Sequence, residues 1–233
     1  MNKTIGIIGG MGPKATCDLM EKILEASDAD RDQDYVRICV DSNTNIPDRT
    51  KAILYDGKDP VPEMVKSAVR LQDMGADILM MSCNTAYYFY DRLRGFVDIP
   101  LLHMPRETAR ELREKEVSCA AVLATDGVVK SGIYEKALNE QGIEALYPGE
   151  EEQKQIMDVI YGCIKAGKKD VEQYRLTKIS NALFERGAQR LVLGCTELPI
   201  AFSLAGLTEN LVDPTEVAAK AALRFLHMPL CVN

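Results

Sequence analysis

The chain contains no apolar run near the ~20 residues that a spanning helix needs, no block of Lys or Arg, and no C-x-x-C pair. Each absence excludes something. Without a spanning run, a membrane is not an expected partner. With 28 basic residues against 35 acidic ones, a net charge of -7 and a pI near 5.0, the surface repels phosphate backbones, so nucleic acid is not expected either. Seven cysteines are an odd number, and neither of the two histidines lies near one, which argues against a disulfide framework and a zinc site. Met1-Asn2-Lys3 runs directly into the first predicted strand with no signal-type apolar segment, so a cytoplasmic protein is expected.

What is present is a globular composition: 233 residues, 46% of them apolar, enough for one large core or two small ones. Short apolar runs alternate with helical stretches throughout, the signature of parallel sheets wrapped by helices. Strands are predicted near Thr4 to Ile8, Tyr35 to Val40, Ile78 to Met81, Leu101 to His103, Ser118 to Leu123, Ile143 to Leu146, Leu191 to Leu193 and Leu211 to Val212. The second half repeats the first: Ile5-Gly6-Ile7-Ile8-Gly9-Gly10 and Ala120-Ala121-Val122-Leu123-Ala124-Thr125 each precede a helix. The expected fold class is therefore α/β, with two pseudo-symmetric domains, each a mostly parallel sheet flanked by helices. The expected boundaries are 1-99 plus 207-233 for the first domain and 100-206 for the second, with a final helix from Pro214 to Leu226 packing back on the first.

The phrase Gly75-Ala76-Asp77-Ile78-Leu79-Met80-Met81-Ser82-Cys83 recurs as Gly187-Ala188-Gln189-Arg190-Leu191-Val192-Leu193-Gly194-Cys195. A repeated strand ending in a thiol is expected to present both thiols to one cleft, as moving a proton on and off one carbon from opposite faces requires. Each cysteine precedes a predicted helix, whose N-terminus would lower a thiol's pKa. Glu197, two residues beyond Cys195, could steer a proton or disfavour its neighbour's thiolate, whereas neutral Asn84 and Thr85 follow Cys83. The remaining cysteines, Cys17, Cys39, Cys119, Cys163 and Cys231, lie in apolar patterns and are expected to pack. Gly9-Gly10-Met11-Gly12-Pro13-Lys14-Ala15-Thr16 joins a strand to a helix. It fits a small carboxylate on backbone amides, a dinucleotide fingerprint with Asp41 wrongly spaced, or a tight turn without a ligand. Arg49 could grip a carboxylate or pair with Asp48, and a lysine placed as Lys165 is more often a solvated helix end.

Together, Gly9-Gly10-Met11-Gly12-Pro13, Ile46-Pro47-Asp48-Arg49-Thr50, Ser82-Cys83-Asn84-Thr85-Ala86, Ala124-Thr125-Asp126-Gly127 with Ser131-Gly132-Ile133-Tyr134, and Leu193-Gly194-Cys195-Thr196-Glu197-Leu198 resemble the aspartate/glutamate racemase family along the whole chain. The resemblance implies a cofactor-independent (PLP-independent) amino-acid racemase, forming a homodimer, with the active site between the two domains and Cys83 and Cys195 as catalytic acid/base thiols. It places Arg49 and Lys165 at the substrate carboxylate and Met11, Asn84, Thr85, Thr125, Thr196 and Glu197 around the site. Two departures stand out, Tyr87 where the family usually has His and Val128 where it usually has Thr. The expected substrate is aspartate or glutamate. A maleate-type isomerase or hydantoin racemase of the same superfamily is the nearest alternative, ahead of a non-catalytic amino-acid-binding protein, a thiol redox sensor or an arylmalonate-type decarboxylase.

Overall fold

A computed structural model describes residues 3–168 and 170–231. Among the described residues seven strands run β1 (Thr4–Gly9), β2 (Arg37–Ser42), β3 (Ile78–Met81), β4 (Cys119–Leu123), β5 (Glu144–Leu146), β6 (Arg190–Leu193) and β7 (Leu211–Val212). The chain divides into two compact units, one of residues up to Met104 together with those from Thr215 onward, the other Pro105–Pro214. Each is a parallel sheet flanked by helices.

In the first unit the strand order is β2-β1-β3, and Leu101 extends it by a single parallel bridge to Leu79. In the second the order is β5-β4-β6-β7. The central strands β1, β3 and β4 are buried along their whole length, as the near-continuous apolar runs of parallel sheets require. The predicted strand at Leu101 to His103 is reduced to that one bridge, because the chain turns into the helix Met104–Glu114. Leu101 stays with the first sheet and β7 with the second, so the units divide later in the chain than the expected 99 and 206. The closing helix is Pro214–Phe225.

The repeated phrase has a physical cause. The helices Val61–Asp73 and Gln173–Glu185 both end on glycines with positive φ, 86° at Gly75 and 101° at Gly187. The next residue bonds back across the last turn in each: the Ala76 amide donates to Leu71 O at 3.1 Å and the Ala188 amide to Leu183 O at 3.1 Å. A left-handed cap of this kind favours glycine. The next side chain then fixes strand register, since Asp77 Oδ2 accepts from the Thr4 amide and Gln189 Oε1 from the Ser118 amide, both at 2.7 Å. One module of cap, register pin, strand and cysteine is thus built twice.

Not every cysteine packs as expected. Cys39 and Cys119 are buried and Cys163 lies against the second core, but Cys17 and Cys231 are exposed. Cys17 falls between the buried stripe Ala15, Thr16, Leu19, Ile23 of its helix Pro13–Ala26. Cys231 lies beyond the last helix, with its thiol 3.2 Å from Ser27 O. Among the described residues no helix is long and apolar enough to cross a membrane.

Candidate active site

In the first unit, β3 delivers Cys83 in extended conformation, buried, at the head of a 3₁₀ turn Asn84–Phe89. The predicted α-helix begins only at Tyr90 and is one turn long, Tyr90–Leu93. Aligned peptide dipoles are therefore few here, and the predicted helix N-terminus directly after Cys83 is replaced by a 3₁₀ turn. Asn84, Thr85 and Met11 are buried.

The glycine-rich loop is held by Thr16. Its Oγ1 accepts from the Gly10 amide at 2.9 Å, donates to Gly12 O at 3.0 Å and lies 3.0 Å from Ser82 Oγ. One hydroxyl thus ties the loop to the residue before Cys83. Gly9 and Gly10 are demanded by packing: a Cβ on Gly9 would meet Thr16 Cγ2 at 2.5 Å, and one on Gly10 would meet the Asn43 carbonyl carbon at 2.4 Å, with φ at 83°. The Gly10 amide is satisfied within the protein, and Asp41, the acidic residue a dinucleotide would want, pairs with Arg70 at 3.3 Å. Arg49 is buried, donating from Nη1 to Ile46 O and Pro47 O at 3.3 and 2.9 Å and from Nη2 to Met11 O at 3.1 Å. The Asp48 carboxylate caps the helix Arg49–Leu54, accepting from the Lys51 amide at 2.8 Å.

In the second unit, Cys195 lies among Ile160, Leu191, Leu193, Leu198 and Phe202 of the hydrophobic core. Its thiol donates to Glu197 Oε2 at 3.0 Å, and the Thr196 hydroxyl donates to the same oxygen at 3.1 Å. Lys165 Nζ stands 3.7 Å from Glu197 Oε1 and 4.8 Å from the centre of the Tyr161 ring. Lys165 reaches this position from the end of a π-helical turn, Asp158–Ile164, its amide bonding back five residues to Ile160 O at 2.9 Å. Burial pushes the Cys195 pKa well up, the Glu197 charge and hydrogen bond push it further, and Lys165 only partly opposes them. The expected thiolate at a helix terminus is therefore reversed for Cys195, which keeps its proton. The effect read into Glu197 has the expected direction.

Thr125 follows β4 and caps the helix Asp126–Ser131, accepting from the Val128 amide at 3.3 Å. Val128 is fully buried. Gln153, which no sequence pattern marked, braces this turn by donating to Ala124 O at 3.0 Å and Asp126 Oδ1 at 2.8 Å. Thr16 and Ser82 were likewise missed as a pair. A hydroxyl on the first turn of a helix after a glycine-rich loop was the available signal.

Among the described residues no group of three or more His, Cys, Asp or Glu could hold a metal ion. The arrangement offers two buried thiols, one of them hydrogen-bonded to a carboxylate, together with cationic and hydroxyl side chains. A family model described as Asp/Glu/Hydantoin racemase matches residues 8–222. The chain belongs to that family. It is 25% identical over 226 residues to the broad specificity amino-acid racemase RacX of Bacillus subtilis, covering 94% of this chain and 96% of the relative. The solved structure of Picrophilus torridus aspartate racemase is 29% identical, with a TM-score of 0.85 over 98% of this chain and 96% of that one. An aspartate racemase homologue from Pyrococcus horikoshii shares the fold, with a TM-score of 0.80 at 23% identity over 97% of this chain and all of that one. Membership of this family supports amino-acid racemase activity.

Proposed function

We propose that the protein is a PLP-independent racemase of acidic amino acids, with Cys83 and Cys195 as its two bases. The observation that carries this reading is the module of cap, register pin, strand and buried cysteine built twice, once in each unit. Racemisation by two bases needs one group deprotonated to take the α-proton and another protonated to return one from the opposite face. Cys195, buried and hydrogen-bonded to Glu197, holds a proton to give. Cys83, with neutral Asn84 and Thr85 after it, is the base for the enantiomer whose α-proton faces it, and the roles exchange for the other. Glu197 orients the Cys195 proton through its hydrogen bond, and once that proton has gone to the substrate a proton taken up from solvent restores the thiol.

The same reading assigns Arg49 and Lys165 to the substrate carboxylates, where a guanidinium and an ammonium stabilise the charge that builds up when the α-proton leaves. Met11, Asn84, Thr85, Thr125 and Thr196 line the site. Similarity to an aspartate racemase over almost the full length supports an acidic substrate. Similarity to a broad specificity racemase over nearly the same length favours a second reading, a wider substrate set on the same two thiols.

A chiral assay of the purified protein in deuterated water, without added cofactor, separates the two. Aspartate or glutamate should be inverted with deuterium at Cα, and neutral amino acids slowly or not at all. Equal rates on neutral amino acids would support the wider set. Absence of α-proton exchange in every amino acid tried would refute both.

A further inference from the structure

Tyr87 sits four residues after Cys83, on the same 3₁₀ turn, and is 2% exposed. Its hydroxyl accepts from the Met81 amide at 3.2 Å and donates to Met81 O at 3.4 Å. It also hydrogen-bonds the backbone of Met104. The reason lies in the sheet edge. Leu79 bonds outward to the segment beside it, its amide to Pro100 O and its carbonyl to the Leu102 amide, both at 2.8 Å. In a parallel sheet the residue two further on faces the same way, so Met81 turns its amide and carbonyl to that edge after the partner chain has left for the helix Met104–Glu114. A phenol oxygen can accept and donate at once, and Tyr87 does both for Met81. His103, on the departing segment, has its ring 5.5 Å from that of Tyr87 and 4.6 Å from that of Tyr90, whose hydroxyl donates to Leu101 O at 3.0 Å.

The side chain of Tyr87 therefore closes a loop from Met81 to residue 87, and Cys83 lies inside that loop. We propose that Tyr87 is a positioning residue for Cys83: its hydroxyl fixes the strand end and the turn between which the thiol is held. The proposal rests on Cys83 being one of the two bases. Phenylalanine would fill the same space and make none of these bonds, leaving the thiol-bearing turn to shift. Displacement of a reacting group by about 1 Å can cost on the order of 10²-fold in rate.

The test measures α-proton exchange of D- and L-aspartate separately in deuterated water, for the wild type, Tyr87→Phe, Tyr90→Phe and Cys83→Ser. Cys83→Ser identifies the enantiomer whose proton Cys83 removes. Tyr87→Phe should slow exchange of that enantiomer by about tenfold or more, leave the other within about twofold, and leave KM for both unchanged. Tyr90→Phe loses a comparable hydroxyl bond on the neighbouring turn and should slow neither. A purely structural role would lower both enantiomers together, and that result, or no change in either, overturns the proposal. Failure of the two-thiol reading would show differently, as wild-type exchange that survives in Cys83→Ser for both enantiomers.

Discussion

Replacing Thr16 by valine removes one hydroxyl and little else. Valine keeps both branches at Cβ, so the close contact of Thr16 Cγ2 with Gly9 survives. Three polar partners lose their bond: the Gly10 amide at 2.9 Å, Gly12 O at 3.0 Å and Ser82 Oγ at 3.0 Å. Each neutral hydrogen bond contributes about 1 kcal/mol net, and a buried donor left without a partner costs about 1–3 kcal/mol. Thr16→Val should therefore destabilise the protein by about 3 kcal/mol. At this chain length that corresponds to a melting midpoint lower by roughly 6–12 °C. Thr16→Ser keeps all three bonds and loses one methyl, costing about 1 kcal/mol. Thermal unfolding of the two variants beside the wild type, followed by circular dichroism, distinguishes the hydroxyl from the methyl. Because Ser82 precedes Cys83, kcat should fall in Thr16→Val and hold in Thr16→Ser. A valine variant that melts within about 2 °C of the wild type, less than 1 kcal/mol would move it, would refute the claim that this hydroxyl organises the loop.

Other outcomes are as specific. Glu197→Gln removes the charge and the carboxylate acceptor that hold the Cys195 pKa up, so alkylation of Cys195 by iodoacetamide at pH 8, read peptide by peptide in a mass spectrometer, should accelerate. An unchanged rate would show that burial alone sets that pKa. The sign for turnover follows: Cys195 is a proton donor only while protonated, and its raised pKa keeps it so through the ordinary thiol range. For the enantiomer whose proton Cys83 removes, the wild-type kcat should therefore hold to about pH 8.5 and decline only above it, and Glu197→Gln should bring the decline to lower pH. Gly10→Ala forces a Cβ to 2.4 Å from the Asn43 carbonyl carbon at a φ of 83°, and should cost more than about 3 kcal/mol. Gly12→Ala, with nothing within 4 Å and φ at -95°, should cost less than about 1 kcal/mol. Equal melting points for these two would contradict the packing account of the loop.

What could be read in the sequence was whatever depends on neighbours along the chain. β3 lies where its apolar run placed it, because a buried parallel strand must be apolar on both faces. The repeated Gly-Ala phrase was visible because a left-handed cap restricts residue choice. Glu197 was legible as a modulator of Cys195 because it lies two positions along the chain. The contacts missed are those between distant positions: Thr16 with Ser82, Tyr87 with Met104, Gln153 with Asp126. No local pattern encodes these, since a Thr, a Tyr and a Gln each have many ways to be satisfied. The turn after Cys83 was misread for a related reason. Asn84-Thr85-Ala86-Tyr87 carries no signal against an α-helix, and what tightens it is the reach of the Tyr87 hydroxyl back to Met81.

The central claim is that Cys83 and Cys195 serve opposite faces of one carbon. It is tested most directly by α-proton exchange of separate D- and L-aspartate in deuterated water, catalysed by Cys83→Ser and Cys195→Ser. Each variant should lose racemisation while still exchanging the proton of one enantiomer, and the two variants should retain opposite enantiomers. A single variant that still inverts aspartate, or two variants that exchange the same enantiomer, would contradict it.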